Sequence, residues 1–213
     1  MSAERTPELE AVYQQYLVEA TELILEGNRR LSEVTNKESI FCGPGCSTCC
    51  CQVFSVHPVA FDVILNKIEN DPLLRQRFEN NSTQRRMLIE KYKTRIEEIA
   101  KIQDSKLNNL EWIKLRIPCA LLHDDKCMIY AHRPYICAAY ITLSPPRVCA
   151  IDPKGYRPLA IQIILNEFYQ ALLNLQLKYD MPGGPLHDLS LQLDHRLNPP
   201  QEEAAKKKRK KKS

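Results

Sequence analysis

Cys42-Gly43-Pro44-Gly45-Cys46-Ser47-Thr48-Cys49-Cys50-Cys51 places five of the chain's nine cysteines within ten residues. An isolated free cysteine is ordinarily a small buried apolar residue, but that does not account for so dense a group. Cys46-x-x-Cys49 has the spacing that turns two sulfurs toward one metal, and Gly43 and Gly45 permit the tight backbone such a turn requires. Neighbouring residues point in different directions, so Cys49 and Cys50 are not expected to serve one ion in the same way. Thiolates suit zinc and iron–sulfur clusters, and zinc takes four ligands. This group could close a site by itself. A second group, Cys119, Cys127 and Cys137 with Cys149 further on, suggests instead that two distant stretches converge. Cys51 and Cys149 read as packing or free thiols.

Outward from the cysteines the chain reads as helices. Thr6-Pro7 is a capping residue followed by proline at the first helical position, and Leu9, Val12, Tyr13, Tyr16, Leu17, Ala20, Leu23 and Ile24 follow at helical spacing to near Leu31. His57-Pro58 opens a second helix, from Val59 to about Glu69. Asp71-Pro72 is another start signal, followed by Leu73, Leu74 and Phe78. A third amphipathic stretch runs from about Ser82 to Gln103. Two short apolar runs, 117–122 and 126–130, flank His123-Asp124-Asp125 and predict a small hairpin. Arg133-Pro134 restarts a helical turn through Cys137, and a last helix runs from Leu159 to about Leu177. Past Met181-Pro182-Gly183-Gly184-Pro185 the pattern dissolves into an extended segment. The fold class expected is mostly α, with helices connected by irregular cysteine-rich loops and a short hairpin, organised around a metal site. The division is 1–40 for an N-terminal helical segment and 41–150 for the cysteine-cluster domain. A packing helix takes 151–180, and an extended segment with a disordered basic tail takes 181–213.

Composition excludes several classes. The 213 residues hold six glycines, none between Cys46 and Gly155, and contain neither a G-x-x-x-x-G-K-[ST] phosphate loop nor a G-x-G-x-x-G turn. H-E-x-x-H and G-x-S-x-G are also missing. The longest nearly apolar run, 159–165, is far short of the ~20 residues of a transmembrane segment. The net charge of +4 comes from Lys206 to Lys212. Without those seven charges 23 Lys+Arg face 26 Asp+Glu, and the body carries −3. The basic run offers weak, salt-sensitive contact with nucleic acid or an anionic surface, although a solvated tail without a specific partner is the simpler reading. The opening MSAERTPELE carries early glutamates and no apolar signal core, so a cytoplasmic, reducing location is expected. There an odd number of cysteines points to metal or free thiols rather than disulfides.

Cys42-x-x-x-Cys46-x-x-Cys49 also has the spacing of the cluster loop in radical S-adenosylmethionine enzymes. Those loops leave the first strand of a βα barrel, whereas here a helix precedes the loop and helices follow. A closer resemblance uses more of the chain. Cys42-Gly-Pro-Gly-Cys46-Ser-Thr-Cys49-Cys50, then Pro118-Cys119-Ala-Leu-Leu, then Cys127-Met-Ile129-Tyr130-Ala-His-Arg133-Pro134-Tyr-Ile-Cys137 resembles the YkgJ-like cysteine-cluster family, a zinc- or iron-chelating domain. The resemblance spans about Cys42 to Cys149 and implies seven metal ligands: Cys42, Cys46, Cys49, Cys50, Cys119, Cys127 and Cys137. The family usually carries arginine after the last motif cysteine, where this chain has Ala138. A flagellin lysine methylase is among the family's relatives, but only the cysteine region is shared and its chemistry is not carried over.

The function expected is a zinc- or iron-binding accessory or binding module with a metal-stabilised fold. The alternative is an iron–sulfur or iron-dependent redox or protein-modifying enzyme on the same cysteines. Tyr130 is expected to pack, and Arg133 to bond loop carbonyls or balance thiolate charge. His57, His123 and His132 read as ordinary surface or core histidines, and Asp124-Asp125 as a turn.

Overall fold

The computed structural model describes residues 6–37, 45–140, 159–181, 183 and 188–199. Cys42, Cys149 and the basic run Lys206 to Lys212 lie outside these residues. Among the described residues the chain is mostly helical, with eight α-helices, two short 3-10 turns and one two-stranded hairpin. No described helix is long and apolar enough to cross a membrane.

Helix α1 spans Pro7–Lys37, beginning where Thr6 Oγ1 accepts from the Leu9 N–H. It runs past Leu31 to Lys37 because Leu31 is itself buried and the following turn carries no breaker. Helix α2, Pro58–Glu69, starts at His57, whose Nδ1 accepts from the Val59 N–H at 3.3 Å. Helix α3, Pro72–Lys91, is capped by Asp71 through the Leu74 N–H at 2.9 Å. It continues unbroken through Ser82, so the Asp71-Pro72 start and the Ser82 stretch belong to one helix. The break falls at Tyr92, after which α4 runs Lys93–Ala100. Two helices were not legible in the pattern. Helix α5, Ser105–Lys114, is capped by Asp104. Helix α8, Leu189–Leu197, is capped by Asp188 in a stretch expected to be extended. Between them come α6, Tyr135–Ala138, and α7, Leu159–Lys178.

The hairpin forms where expected. Strand β1, Leu122–His123, pairs antiparallel with β2, Lys126–Cys127, with Leu122 opposite Cys127. Asp124 and Asp125 both have positive φ (48° and 57°), the left-handed pair that a two-residue turn between twisted strands requires. Aspartate tolerates that region better than most residues carrying a side chain.

Helix α2 is buried on two sides and organises the core. Ile64, Leu65 and Ile68 pack with Leu74 and Phe78 of α3, Leu121 and Ile129 around the hairpin, and Leu193 of α8. Val59, Ala60 and Val63 pack with Tyr16, Leu17 and Ile24 of α1 and Phe168 and Leu172 of α7. Each fully buried side chain of this size contributes about 1.5–3 kcal/mol of transfer free energy. Helix α1 lies along α7, and Gly27 allows the close approach, since a Cβ there would stand 2.4 Å from the Phe168 ring. Of the cysteine loops, the Thr48–Cys51 turn lies against α5, the Tyr130–His132 turn against α1, and Cys119 and Cys127 against the first cluster.

Candidate metal centre

The first described cysteines enter through Gly45, whose φ of +94° carries the chain into Cys46. Thr48–Cys51 then forms a 3-10 turn closed by Cys50 N–H to Ser47 O and Gln52 N–H to Cys49 O. The adjacent Cys49 and Cys50 were expected to point in different directions, but this turn brings both into one pocket, where their thiols meet. Cys46, Cys49 and Cys50 line one pocket, while Cys51 is buried and not among its lining residues.

The second group reaches the same pocket from three different elements. Cys119 precedes β1, Cys127 ends β2, and Cys137 lies in α6. All six thiols therefore line a single pocket, as the convergence of two stretches required. A backbone bond joins the groups, the Cys119 N–H donating to Cys50 O at 2.7 Å. Ser47 Oγ adds a second tie, donating to Asp125 Oδ1 of the hairpin turn at 2.7 Å.

Polar hooks from the surrounding helices hold these loops. Asn28 of α1 donates through Nδ2 to the carbonyls of Ala131 and Arg133, at 2.9 and 3.0 Å. Asn81 of α3 donates to the carbonyls of Ala120 and Leu122, at 3.1 and 2.7 Å. One turn further, the buried Arg85 reaches Pro118 O at 2.8 Å and pairs with Asp188 at 2.9 Å. None of these hooks was singled out in the sequence. One signal was present: Arg85 falls on the buried stripe of α3 with Leu74, Phe78 and Ser82, where a charge needs a partner.

The thiols share one electrostatic environment. The Cys50 thiol donates to Cys49, which lowers the pKa of Cys49; the Arg133 guanidinium lowers it further, against burial. Cys50 is driven up by the same bond, then by burial and by Cys49, Cys119 and Cys127. Burial pushes the Cys127 thiol up to about 11 and raises Cys137 well above the ordinary range, with Cys119 and Cys49 adding to both. Thiols of the two stretches thus lie within reach of one another. Among the described residues, no three Cys, His, Asp or Glu side chains already stand in ligating geometry.

The pocket wall suits negatively charged sulfur. Arg133 stacks on Tyr130, its Cζ 4.1 Å from the ring centroid, which accounts for both residues of the Tyr130-x-x-Arg133 motif. Of the two roles expected for Arg133, its charge acts on Cys49, while among the described residues no bond to a loop carbonyl is found and its Nε is buried without a partner. Gln52 Nε2, on the same wall, is likewise buried and unanswered. Phe54 and Tyr140 meet edge to face at 5.7 Å and form an apolar side. None of the described histidines lines the pocket. His57 caps α2 and burial lowers its pKa, while His123 lies 3.5 Å from Asp124 on the hairpin.

The donor set fits a thiophilic metal. Six free thiols surround one pocket, a guanidinium stands beside them to offset thiolate charge, and two buried N–H groups lack acceptors. Comparison of the chain with known protein families, curated proteins and solved structures finds no match.

Proposed function

We propose that this chain is a metal-binding protein of the YkgJ-like cysteine-cluster type, holding zinc or iron with donors drawn from Cys42, Cys46, Cys49, Cys50, Cys119, Cys127 and Cys137. It acts as an accessory or binding module whose fold the metal stabilises. One observation carries the reading: six thiols from stretches about seventy residues apart line a single pocket. Small apolar packing residues would have no reason to gather around one pocket beside an arginine.

A bound metal would supply a cross-link between the two cysteine stretches and draw thiolates together at the cost of their protons. The chain's own residues prepare that event. The Cys119–Cys50 backbone bond aligns the stretches, the hairpin presents Cys127, and Arg133 offsets charge near Cys49. A second reading, an iron–sulfur or iron-dependent redox or protein-modifying enzyme, draws on a different count. The six thiols of the pocket exceed the four that a mononuclear zinc site uses.

Protein purified without air separates the two by visible spectrum and metal analysis. Colourless protein with stoichiometric zinc supports the module and removes the iron reading. Brown protein with acid-labile sulfide does the reverse, and protein free of both metals after reconstitution overturns metal binding altogether. Replacing Cys46 and Cys137 together by serine is expected to abolish or sharply reduce metal content. Unchanged content would mean that the two stretches do not share a site.

A further inference from the structure

We propose that α8, which lies outside the cysteine-rich region, belongs to the metal site, and that its Ser190 is a positioning residue for metal-bound Cys119. The inference rests on the metal-binding reading above. Ser190 is 4% exposed and lines the thiol pocket. Its hydroxyl has one proton and two lone pairs. The Ala120 N–H donates to Ser190 Oγ at 3.0 Å, which uses a lone pair and leaves the proton for another acceptor. That acceptor is Cys119 Sγ, at 3.3 Å. The Leu121 N–H approaches the same sulfur at 3.5 Å. Two donors therefore converge on Cys119 Sγ, an arrangement that suits a charged or metal-bound sulfur far better than a neutral thiol.

The hydroxyl does not reach this place by accident. Asp188 caps α8 through the Leu191 N–H at 3.1 Å while its other oxygen pairs with Arg85. Arg85 also holds Pro118 O, the carbonyl immediately before Cys119. One buried arginine thus sets both the helix that carries Ser190 and the loop that carries Cys119. Hydrogen-bond partners of metal ligands fix ligand orientation, and losing one typically weakens metal affinity by roughly 10- to 100-fold.

The test is a cobalt(II) titration of the full, reduced, metal-free chain, followed by competition with zinc, for wild type, Ser190→Ala and Ser190→Thr. Ser190→Ala is expected to bind cobalt at least about tenfold more weakly, with altered sulfur-to-cobalt absorption, while Ser190→Thr retains the affinity because it retains the hydroxyl. Hydrogen exchange on the wild-type chain gives a measurement that needs no variant: zinc should slow exchange across Leu189–Leu197. Wild type that binds neither metal would remove the reading beneath this inference. Wild type that binds, with Ser190→Ala equal to it in affinity and spectrum, or with no added protection of α8, would overturn the inference alone.

Discussion

Asp188→Asn isolates one interaction at the point where α3, the Cys119 loop and α8 meet. Asparagine caps a helix about as well as aspartate and tolerates the left-handed backbone that Asp188 adopts (φ 49°), so the cap and the turn survive. With its oxygen kept for the cap, asparagine presents an amide N–H to Arg85, so the variant removes the charge and the acceptor of that one pair. That guanidinium side chain is 5% exposed and its partner 16%. Removing one member of a buried pair costs about 3–5 kcal/mol. Two features reduce the figure here: Arg85 keeps Pro118 O at 2.8 Å, and Asp188 retains some water. The expected loss is therefore about 2–3 kcal/mol, or a fall in melting temperature of roughly 4–12 °C. Asp188→Ala should cost about 1 kcal/mol more, because it also removes the cap. Urea unfolding of metal-free protein, followed by circular dichroism and by the fluorescence of Trp112, measures both variants. An unchanged denaturant slope would show that the comparison is one of stability alone. Pairing Asp188→Asn with Arg85→Met in a double-mutant cycle assigns the loss to this pair if the two effects are strongly non-additive. Asp188→Asn within about 0.5 kcal/mol of wild type would refute the reasoning, as would equality with Asp188→Ala.

Three further outcomes follow from other parts of the molecule. Gly27→Ala gains about 1 kcal/mol of helix propensity but drives a methyl group into the buried Phe168 ring, which costs about 1–3 kcal/mol, so thermal unfolding should show a net loss; a stabilised variant would mean that the ring swings aside freely. Glu19 accepts from Lys178, Tyr179 and Gln15, and these bonds, that to Lys178 foremost, lower its carboxyl pKa to about 2. A depressed folded-state pKa stabilises above the unfolded carboxyl's range and is lost as pH falls toward 2, so the stability gap between wild type and Glu19→Gln should close over that interval, and a constant gap would refute the assignment. Zinc loading at pH 7 should release about three or four protons if four thiols become ligands, since Cys127 near 11 and the raised Cys50 and Cys137 begin protonated while Cys49 is lowered. Calorimetry in buffers of different ionisation enthalpy reads that number, affinity should fall as pH is lowered, and release of no protons would exclude thiolate ligation.

What the sequence discloses of this fold depends on how its signals are written. The starts of α1, α2 and α3 were legible because each couples a capping side chain to proline at the first helical position, Thr6-Pro7, His57-Pro58 and Asp71-Pro72. The hairpin was legible because two apolar runs flank a pair of aspartates. Helix α5 escaped because its apolar positions are few, and the Asp104 cap has no proline behind it. The break at Tyr92 carries neither glycine nor proline, so nothing local marks it. Helix α8 escaped for a different reason. Leu189, Leu193 and Leu197 recur every four residues and Asp188 precedes them, yet nine residues make too short a window against a glycine- and proline-rich approach.

The same contrast divides the site. Cysteines advertise themselves by rarity and spacing, so a gathering of the two stretches could be argued before any coordinates. The groups that hold them are common polar residues, Asn28, Asn81, Arg85 and Ser190, and their meaning is positional. Arg85 is informative only once it is placed on the apolar stripe of α3, and Ser190 only once α8 is a helix that presents it to Cys119. A family-like motif ending at Cys137 or Cys149 therefore understates the site. The physical boundary of the thiol pocket runs through Asp188, Leu189 and Ser190, some fifty residues beyond the last cysteine that the pocket exposes. A fragment cut at the end of the cysteine motif would retain the six thiols of the pocket but lose the acid paired with Arg85 and the hydroxyl aimed at Cys119. Such a fragment should bind metal more weakly than the full chain even where it still folds.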